Sequence, residues 1–434
     1  MAGSQVENRG REEKALPWIL TLFGTAVGAG ILYLPLQAGS SGIWAFVLLS
    51  LFIFPIIYYS HSYVVTLLLL EISPQNYAGV VGHFMGRIFG LLIILAFLIT
   101  FYTILLSYAM GLNASIGPHI PQFSLMNINW AQNNILIIII LLVFALVQMI
   151  NKKIMLTFMS FFSLVLIIIL FGISISLVPL WDYSIFYQLP ELHDLAAEAL
   201  RILPILVLSL VFFPAISSMV IAFRSHPGVR PLKTRMRLQS AIFITSMLLW
   251  FFILFFVFSC SLSLTPEELA HAIKENLNSL TILSYKEGLS PQIANLGELF
   301  VILALFTSFI GIFFAVKEAA QELVREVIAL LTWKKRGPIK YERGVDIIIH
   351  LLIYFSLWAI ATQNPSFMNI FSDFISPLVV FFLFILPILI LIKARGFHIL
   401  MQPTSLFIVF SGILLHFSYE IGAYLQNLLE SHKL

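Results

Sequence analysis

The sequence predicts an all-α polytopic membrane protein of about eleven transmembrane helices, because its composition is apolar and apolar runs of helical length recur along it. Of the 434 residues, 60% are hydrophobic and 10% are charged, whereas roughly 25% are charged in an average soluble domain. Each run has about 20 residues, enough for a helix to cross roughly 30 Å of hydrocarbon. The runs lack the alternation of barrel strands and are about twice as long as one, so we predict helices.

The predicted spans follow a cytoplasmic tail of residues 1–15 and belong to one transmembrane domain, residues 16–434. The first span lacks a small-x-small cleavage site, so it is not a signal peptide. With boundaries good to a few residues, the spans cover residues 16–37, 42–70, 86–112, 134–151, 154–178, 200–222, 239–262, 297–317, 344–361, 371–392 and 405–428.

Charge placement supports this arrangement independently. With the N-terminus in the cytoplasm, most of the 24 Lys and Arg residues fall in alternate segments on the cytoplasmic side, as membrane proteins require. The C-terminus is then outside. These loops account for the net charge of +3, so we expect no nucleic-acid partner. The lone Cys260 excludes an intramolecular disulfide and is interpreted as a buried small hydrophobe.

The sequence contains none of the residue patterns of an enzyme site that we would recognise. Zinc-type spacing, a phosphate-binding glycine loop and a supported Ser-His-Asp order are absent, and Gly28–Gly30 is too short for a dinucleotide fingerprint. His350 and His416 lie within predicted spans, where hydrogen-bonded packing is favoured over a proton relay. The longest loop, 263–296, predicts one short helix in which Thr265 and Glu268 form a capping box. We therefore expect no enzyme activity, no cofactor and no obligate protein partner.

The first span carries an unusual glycine-rich segment near its middle. Gly24, Thr25, Ala26, Gly28, Ala29 and Gly30 lie there, with Val27 between them. Each glycine weakens a helix by roughly 1 kcal/mol relative to alanine, so the helix can break at the midplane. A broken helix exposes N–H groups on one half and carbonyls on the other, which together can hold a carboxylate and a cation. The alternative is that Gly24 and Gly28 form a small-xxx-small packing face.

The sixth span predicts a second break. An inverted-repeat transporter places spans one and six in corresponding positions, and span six carries Phe212, Phe213, Pro214, Ser217 and Ser218. Proline removes a donor and displaces the carbonyl four residues back. The alternative is a proline kink without any ligand.

Few other polar groups lie at mid-membrane. Tyr102 in span three is a candidate substrate contact, with Ser107 and Tyr108 nearby. Thr307 and Ser308 are adjacent hydroxyls in span eight. Because hard cations prefer oxygen ligands, we hypothesise that these two residues and carbonyls of the span-one break form a sodium site. The alternative is that each hydroxyl bonds a carbonyl of its own helix.

Several motifs together resemble those of the hydroxy and aromatic amino acid permeases, a branch of the amino acid-polyamine-organocation transporters. The resemblance runs over nearly the whole chain and is closest to bacterial serine/threonine permeases. Its motifs are Gly-Thr-Ala-Val-Gly-Ala-Gly-Ile-Leu-Tyr-Leu-Pro at 24–35, Phe-Phe-Val-Phe-Ser-Cys-Ser-Leu-Ser-Leu-Thr-Pro-Glu at 255–267, Ile-Leu-Ser-Tyr at 282–285, Asn-Pro-Ser at 364–366, and the segment 377–387.

The resemblance implies a five-plus-five inverted repeat in the inner membrane, with broken helices one and six. The first repeat would cover about 16–178, the second about 200–392, and 405–428 would be an extra helix. It also implies import of a neutral amino acid, held between the two breaks and driven by a gradient of H⁺ or Na⁺. A receptor or structural protein in the membrane is the non-transport alternative.

Two departures bear on the substrate. Serine-type permeases carry Asn-His-Ser just before the span-six proline, where this chain has Val211, Phe212 and Phe213. In span eight, Thr307 stands where the serine branch has a lysine. This position, and the motif Leu-Leu-Leu-Glu at 68–71, resemble the tyrosine and tryptophan permeases. A pocket lined by Phe212 and Phe213 would favour an apolar or aromatic side chain. The resemblance to serine/threonine permeases implies a substrate of that type, which is our prediction, and these two departures make an aromatic amino acid the alternative.

Overall fold

The computed structural model describes residues 13–40, 42–72, 75–116, 135–149, 152–187, 189–224, 231–275, 277–286, 291–332, 343–362 and 375–432. These residues are helical almost throughout and contain no strand. Residues 1–12 of the predicted cytoplasmic tail and the Asn-Pro-Ser motif at 364–366 lie outside them.

The α-helices are numbered here in chain order. They are α1 (Ala15–Ala26), α2 (Ala29–Ser40), α3 (Ile43–Leu68), α4 (Tyr77–Met85), α5 (Arg87–Ile116), α6 (Ile135–Met149), α7 (Lys152–Leu177), α8 (Leu192–Leu208), α9 (Ile216–Arg224), α10 (Pro231–Ser263), α11 (Pro266–Lys274), α12 (Ser279–Ser284), α13 (Pro291–Thr332), α14 (Arg343–Ala361), α15 (Ser376–Val380), α16 (Leu386–Arg395) and α17 (Pro403–His432). Four 3₁₀ helices (Val178–Leu180, Tyr183–Tyr187, Phe213–Ala215 and Phe397–Met401) and a π-helical turn (Phe381–Ile385) complete the described elements.

Each predicted span corresponds to helices of the structure. Span one is α1 and α2, span two is α3, span three is α5, spans four and five are α6 and α7, and span six is α8 and α9. Spans seven, eight and nine are α10, α13 and α14, span ten is α15 and α16 with the π turn between them, and span eleven is α17. Among the described residues, 7 helices are long and apolar enough to cross a membrane, or 8 with the bent pair α1–α2, and three shorter apolar helices accompany them. The number of crossings therefore stays a prediction.

The lateral surface of the bundle is apolar. Large hydrophobic side chains such as Leu51, Ile88, Leu142 and Phe355 are exposed along α3, α5, α6 and α14. A protein covered by water rarely exposes apolar surface so continuously, whereas lipid tails accept it. The chain is thus a multi-pass membrane protein.

Several helices are longer than the predicted spans. Span six begins at Leu192 and span seven at Pro231, and α13 runs over 42 residues. The extra turns carry charged residues, which end an apolar run without ending a helix. A short helix that was not predicted, α4, is capped by the Asn76 side chain, which accepts the Gly79 N–H at 2.8 Å. The predicted capping box of Thr265 and Glu268 is confirmed at the start of α11.

Packing brings the two predicted breaks together. Helix α1 lies against α7, α10 and α13, α5 runs along α13, and α17 covers α8. The 3₁₀ helix of span six contacts both α1 and α13. Spans one, six and eight therefore meet inside the bundle, and this meeting point is the place to look for a site.

Candidate functional site

Span one is broken in the middle. Helix α1 ends at Ala26 and α2 starts at Ala29, with an angle of 58° between the two halves. Val27 leaves helical geometry with ψ 82°, and the Gly28 N–H turns back to the Ala26 carbonyl at 2.8 Å. The predicted break is confirmed. Its position follows from the glycines, which weaken the helix at this point.

The break presents backbone carbonyls to the hydroxyls of span eight. Thr307 Oγ1 donates to the Gly24 carbonyl at 3.0 Å, and Ser308 Oγ donates to the carbonyls of Gly24 at 3.2 Å and Val27 at 2.9 Å. We call Gly24 O, Val27 O, Thr307 Oγ1 and Ser308 Oγ the oxygen cluster. Both hydroxyl residues are completely buried. The cluster supplies uncharged oxygen ligands only, a set that suits a hard cation.

The alternative prediction, that each hydroxyl bonds a carbonyl of its own helix, is confirmed for Thr307. Thr307 Oγ1 lies 3.0 Å from the Leu303 carbonyl and 3.2 Å from the Ala304 carbonyl of its own helix. Thr307 therefore contacts carbonyls of both span eight and span one. Ser308, in contrast, donates only to carbonyls of span one among the described residues.

The glycines of the break are also sites of close helix packing. A Cβ on Gly24 would lie 2.1 Å from Ser163 Oγ of α7, and one on Gly28 would lie 2.7 Å from the Tyr108 hydroxyl of α5. Ser308 Oγ lies 3.1 Å from the same Cβ position on Gly28. The glycines therefore allow the break and also allow neighbouring helices to reach it, whereas a role in holding substrate stays a prediction.

Span six is broken as well, and the break lies just upstream of Pro214. Helix α8 ends at Leu208, residues 209–212 are not helical, and Pro214 lies inside the 3₁₀ helix that follows. The proline ring would clash with the carbonyl four residues back, at Leu210, which explains why the helix opens upstream. The remaining half, α9, continues to Arg224.

The two breaks lie against each other. A Cβ on Gly30, at the start of α2, would lie 2.7 Å from Ser209 Oγ, at the start of the span-six break. Ser209 itself donates to the Ile205 carbonyl at 2.6 Å. The start of α2 and the start of the span-six break are thus in contact.

The aromatic residues of the predicted site are packed into the protein. The Phe212 ring stacks on His61 of α3 at a centroid distance of 3.9 Å. The Phe213 ring lies among Tyr77, Phe97 and Phe101, with centroid distances of 5.7, 6.2 and 5.4 Å. Both phenylalanines are buried, and a role in lining a substrate pocket stays a prediction.

The structure brings Tyr108, and not Tyr102, to the break. The Tyr102 hydroxyl donates to Ser356 Oγ of span nine at 2.7 Å, so it links two neighbouring helices. The two tyrosines are six positions apart and point in different directions around α5. Sequence alone offered both, and only the packing of α5 against α13 separates them.

The serines after Pro214 tie the second half of span six to other elements. Ser217 Oγ accepts the Tyr77 N–H at 3.0 Å, and Ser218 Oγ donates to Glu318 Oε1 of α13 at 2.9 Å. Thr25 donates to the Thr21 carbonyl at 2.8 Å, and its side chain lies where a Cβ on Gly311 would be. Direct contact of these hydroxyls with substrate stays a prediction.

Sequence reasoning missed two residues. His61 lies in span two, is completely buried, and accepts the Phe212 N–H at Nε2 over 3.1 Å. An ionisable residue inside a predicted span is rare enough to have pointed to it. Ser163 of α7 is buried beside Gly24, and its hydroxyl has no hydrogen-bond partner among the described residues. No pattern in the sequence distinguishes Ser163 from other serines in spans.

The chain matches the model of the tryptophan/tyrosine permease family over residues 11–400. Inner membrane transport protein YqeG of Escherichia coli K12 is 26% identical over 375 residues, which cover 86% of this chain and 89% of that protein. Serine transporter SdaC of the same organism is 25% identical over 378 residues, 85% of each chain. Threonine/serine transporter TdcC of Edwardsiella tarda is 27% identical over 390 residues, 85% of this chain and 86% of that one.

Two solved structures share the fold. MhsT in complex with L-phenylalanine has a TM-score of 0.50 at 13% identity, covering 94% of this chain and 100% of that chain. A substrate-bound, outward-open Na⁺-coupled sialic acid symporter has a TM-score of 0.53 at 11% identity, covering 95% and 89%. At these identities the likeness shows the fold, and it confirms the predicted class of broken-helix, five-plus-five inverted repeat.

We expect Gly24→Ala to lower thermal stability in detergent, because the new methyl group would overlap Ser163 Oγ. Overpacking of this kind costs about 1–3 kcal/mol. The double variant with Ser163→Ala should recover part of the loss, since the overlapping oxygen is then absent. The matched control is Gly172→Ala in the same helix as Ser163, where a Cβ has open space. Equal melting temperatures for Gly24→Ala and Gly172→Ala would contradict this packing.

Proposed function

Since the chain belongs to the tryptophan/tyrosine permease family, we propose that it is a secondary transporter that imports a neutral amino acid across the inner membrane. The observation that carries this proposal is the pair of facing breaks in spans one and six. In a bilayer, non-helical backbone is tolerated only where it is buried in protein or lines a cavity. Two such segments in corresponding spans are typical of a transporter binding site.

In this proposal, backbone groups of the two breaks recognise the carboxylate and the ammonium group of the amino acid. The N–H groups at the start of α2 attract a carboxylate, and the carbonyls that the span-six break frees attract an ammonium group. The Tyr108 hydroxyl lies beside Gly28, close enough to contribute a polar contact. A zwitterion satisfies both groups at once, whereas a sugar or a simple ion satisfies at most one.

The coupling ion is assigned to Na⁺ on the chemistry of the oxygen cluster. A bound cation would replace the hydrogens by which Thr307 and Ser308 now contact Gly24 O and Val27 O. Binding would then join span one to span eight and fix the first break in the shape that accepts substrate. Proton coupling is the second candidate, because uncharged hydroxyls and carbonyls can also hold the two spans together without an ion.

The side chain of the substrate is assigned to the serine/threonine type. The relative SdaC is named a serine transporter and the relative TdcC a threonine/serine transporter. The burial of Phe212 and Phe213 leaves Ser209 and Tyr108 as polar groups at the breaks. The family model is named for tryptophan and tyrosine, which keeps an aromatic substrate as the second candidate.

Transport would follow from rocking spans one, two, six and seven against the others. Contacts in the structure support that grouping. Trp250 of span seven donates its indole N–H to the Ser50 carbonyl of span two at 2.9 Å, and His61 of span two bonds the span-six break. We place the N-terminus in the cytoplasm and the C-terminus outside, and we divide the repeats at about 16–178 and 200–392, with 405–428 as the extra helix.

Uptake by purified protein in proteoliposomes tests the function directly. We expect gradient-driven accumulation and counterflow of one neutral amino acid, with competition among serine, threonine, tyrosine and tryptophan showing which type is preferred. A receptor or structural protein would show no uptake. The proposal fails if lysine, glutamate and a sugar compete as well as the four neutral amino acids.

Removing oxygens from the cluster should weaken coupling. We expect Thr307→Val and Ser308→Ala to raise the Na⁺ concentration for half-maximal uptake by roughly tenfold or more, the size expected when a contact to a charged group is lost. Thr307→Ser keeps the oxygen and should resemble the wild type. Thr103→Val is the control, because that hydroxyl bonds the Ile99 carbonyl of its own helix. Unchanged wild-type uptake after replacement of Na⁺ by choline would exclude sodium coupling.

Gly28→Val should abolish uptake and leave membrane insertion intact. Its side chain would meet the Tyr108 hydroxyl, at 2.7 Å from the Cβ position, and would obstruct the place proposed for the carboxylate. Gly172→Val, at a position with open space around Cβ, should retain uptake. Full uptake by Gly28→Val at equal amounts in the membrane would remove the span-one break from the binding site.

A further inference from the structure

We propose that His61 is a positioning residue for the substrate site: by accepting the Phe212 N–H, it fixes the non-helical segment of span six in its binding shape. The proposal rests on the transport function given above and adds a residue from span two to that site. His61 is completely buried, and its ring lies against the break, not against lipid.

The hydrogen bonds define which ring nitrogen carries the proton. Nε2 lies 3.1 Å from the Phe212 backbone nitrogen, which is a donor, so Nε2 must be the acceptor. Nδ1 therefore carries the proton and donates to the Ile57 carbonyl at 2.8 Å. Ser60 Oγ lies 3.2 Å from Nδ1 and donates to the same carbonyl at 3.0 Å. The imidazole is thus neutral and held in one orientation at both ends.

The break creates the need for this acceptor. In a continuous helix the Phe212 N–H would bond the Leu208 carbonyl, but here the Val211 N–H turns to that carbonyl at 3.4 Å. A buried N–H without an acceptor is strongly unfavourable where no water is available. His61 removes the penalty at the residue where the non-helical segment ends and the 3₁₀ helix begins.

Stacking and hydrogen bonding act on the same residue. The Phe212 ring lies 3.9 Å from the imidazole with 22° between the planes, while the Phe212 N–H points at Nε2. Two contacts of different direction fix both the backbone and the side chain. The segment 209–212, which carries the carbonyls proposed for the ammonium group, is therefore attached to span two at its far end.

Three substitutions separate these contributions. His61→Gln places an amide oxygen at about the reach of Nε2, His61→Asn has an amide that ends near the position of Nδ1, and His61→Phe keeps the stacking without any acceptor. Only the first retains a hydrogen bond to Phe212. His416→Gln is the control, because His416 of α17 is exposed and contacts the Phe417 ring.

The experiment combines amide hydrogen exchange over residues 209–213 of the full-length protein with uptake in proteoliposomes. We expect the Phe212 amide to be protected in the wild type, in His61→Gln and in the control variant His416→Gln. His61→Asn and His61→Phe should exchange it roughly tenfold faster or more, and their KM for substrate should rise by a similar factor. Recovery in the glutamine variant separates a hydrogen-bonding role from a role in packing alone.

Two results would overturn the inference: wild-type exchange and KM in His61→Phe, or equal loss of uptake in all three His61 variants while the glutamine variant still protects Phe212. If the asparagine and phenylalanine variants do not fold, ¹⁵N spectra of wild-type histidine decide the matter. An unprotonated Nε2 on His61 supports the assignment, and a protonated Nε2 excludes it. Absence of amino acid uptake by the wild type would reject the transport function and leave the exchange result standing.

Discussion

Every backbone N–H and C=O group inside a bilayer must find a partner within the protein, and this requirement governs where the chain can leave helical geometry. The break in span one leaves the carbonyls of Gly24 and Val27 without helical donors, and Thr307 and Ser308 of span eight supply them. The break in span six leaves the Phe212 N–H without its helical acceptor, and His61 of span two supplies it. The breaks persist because other helices complete them.

Close approach of helices makes those partnerships possible. Gly24, Gly28 and Gly30 each lie where a Cβ would meet a side chain of another span within 2.7 Å. Gly311 of span eight plays the same part toward Thr25. The small residues thus bring hydroxyl groups close to the backbone of the break, which larger side chains would hold apart. Weak helix propensity and close packing are two effects of the same glycines.

The two halves of span six both contact α3, and their other contacts differ. The half before the break is covered by α17, whereas the half after it is tied to the Tyr77 N–H and to Glu318 through Ser217 and Ser218. The non-helical residues between them are attached to span two through Phe212.

The sequence by itself determined the fold class, the approximate position of the described helices and the glycine break in span one, and it predicted that Thr307 and Ser308 meet carbonyls of that break. These follow from hydropathy, helix propensity and the preference of cations for oxygen, which depend on residues near one another in the chain. Tertiary structure alone decided that Tyr108 and not Tyr102 reaches the break, that Ser163 lies against Gly24, and that His61 meets Phe212. Those contacts join residues that are far apart in sequence. They depend on the rotation of each helix about its axis, which is set by packing against several neighbours at once.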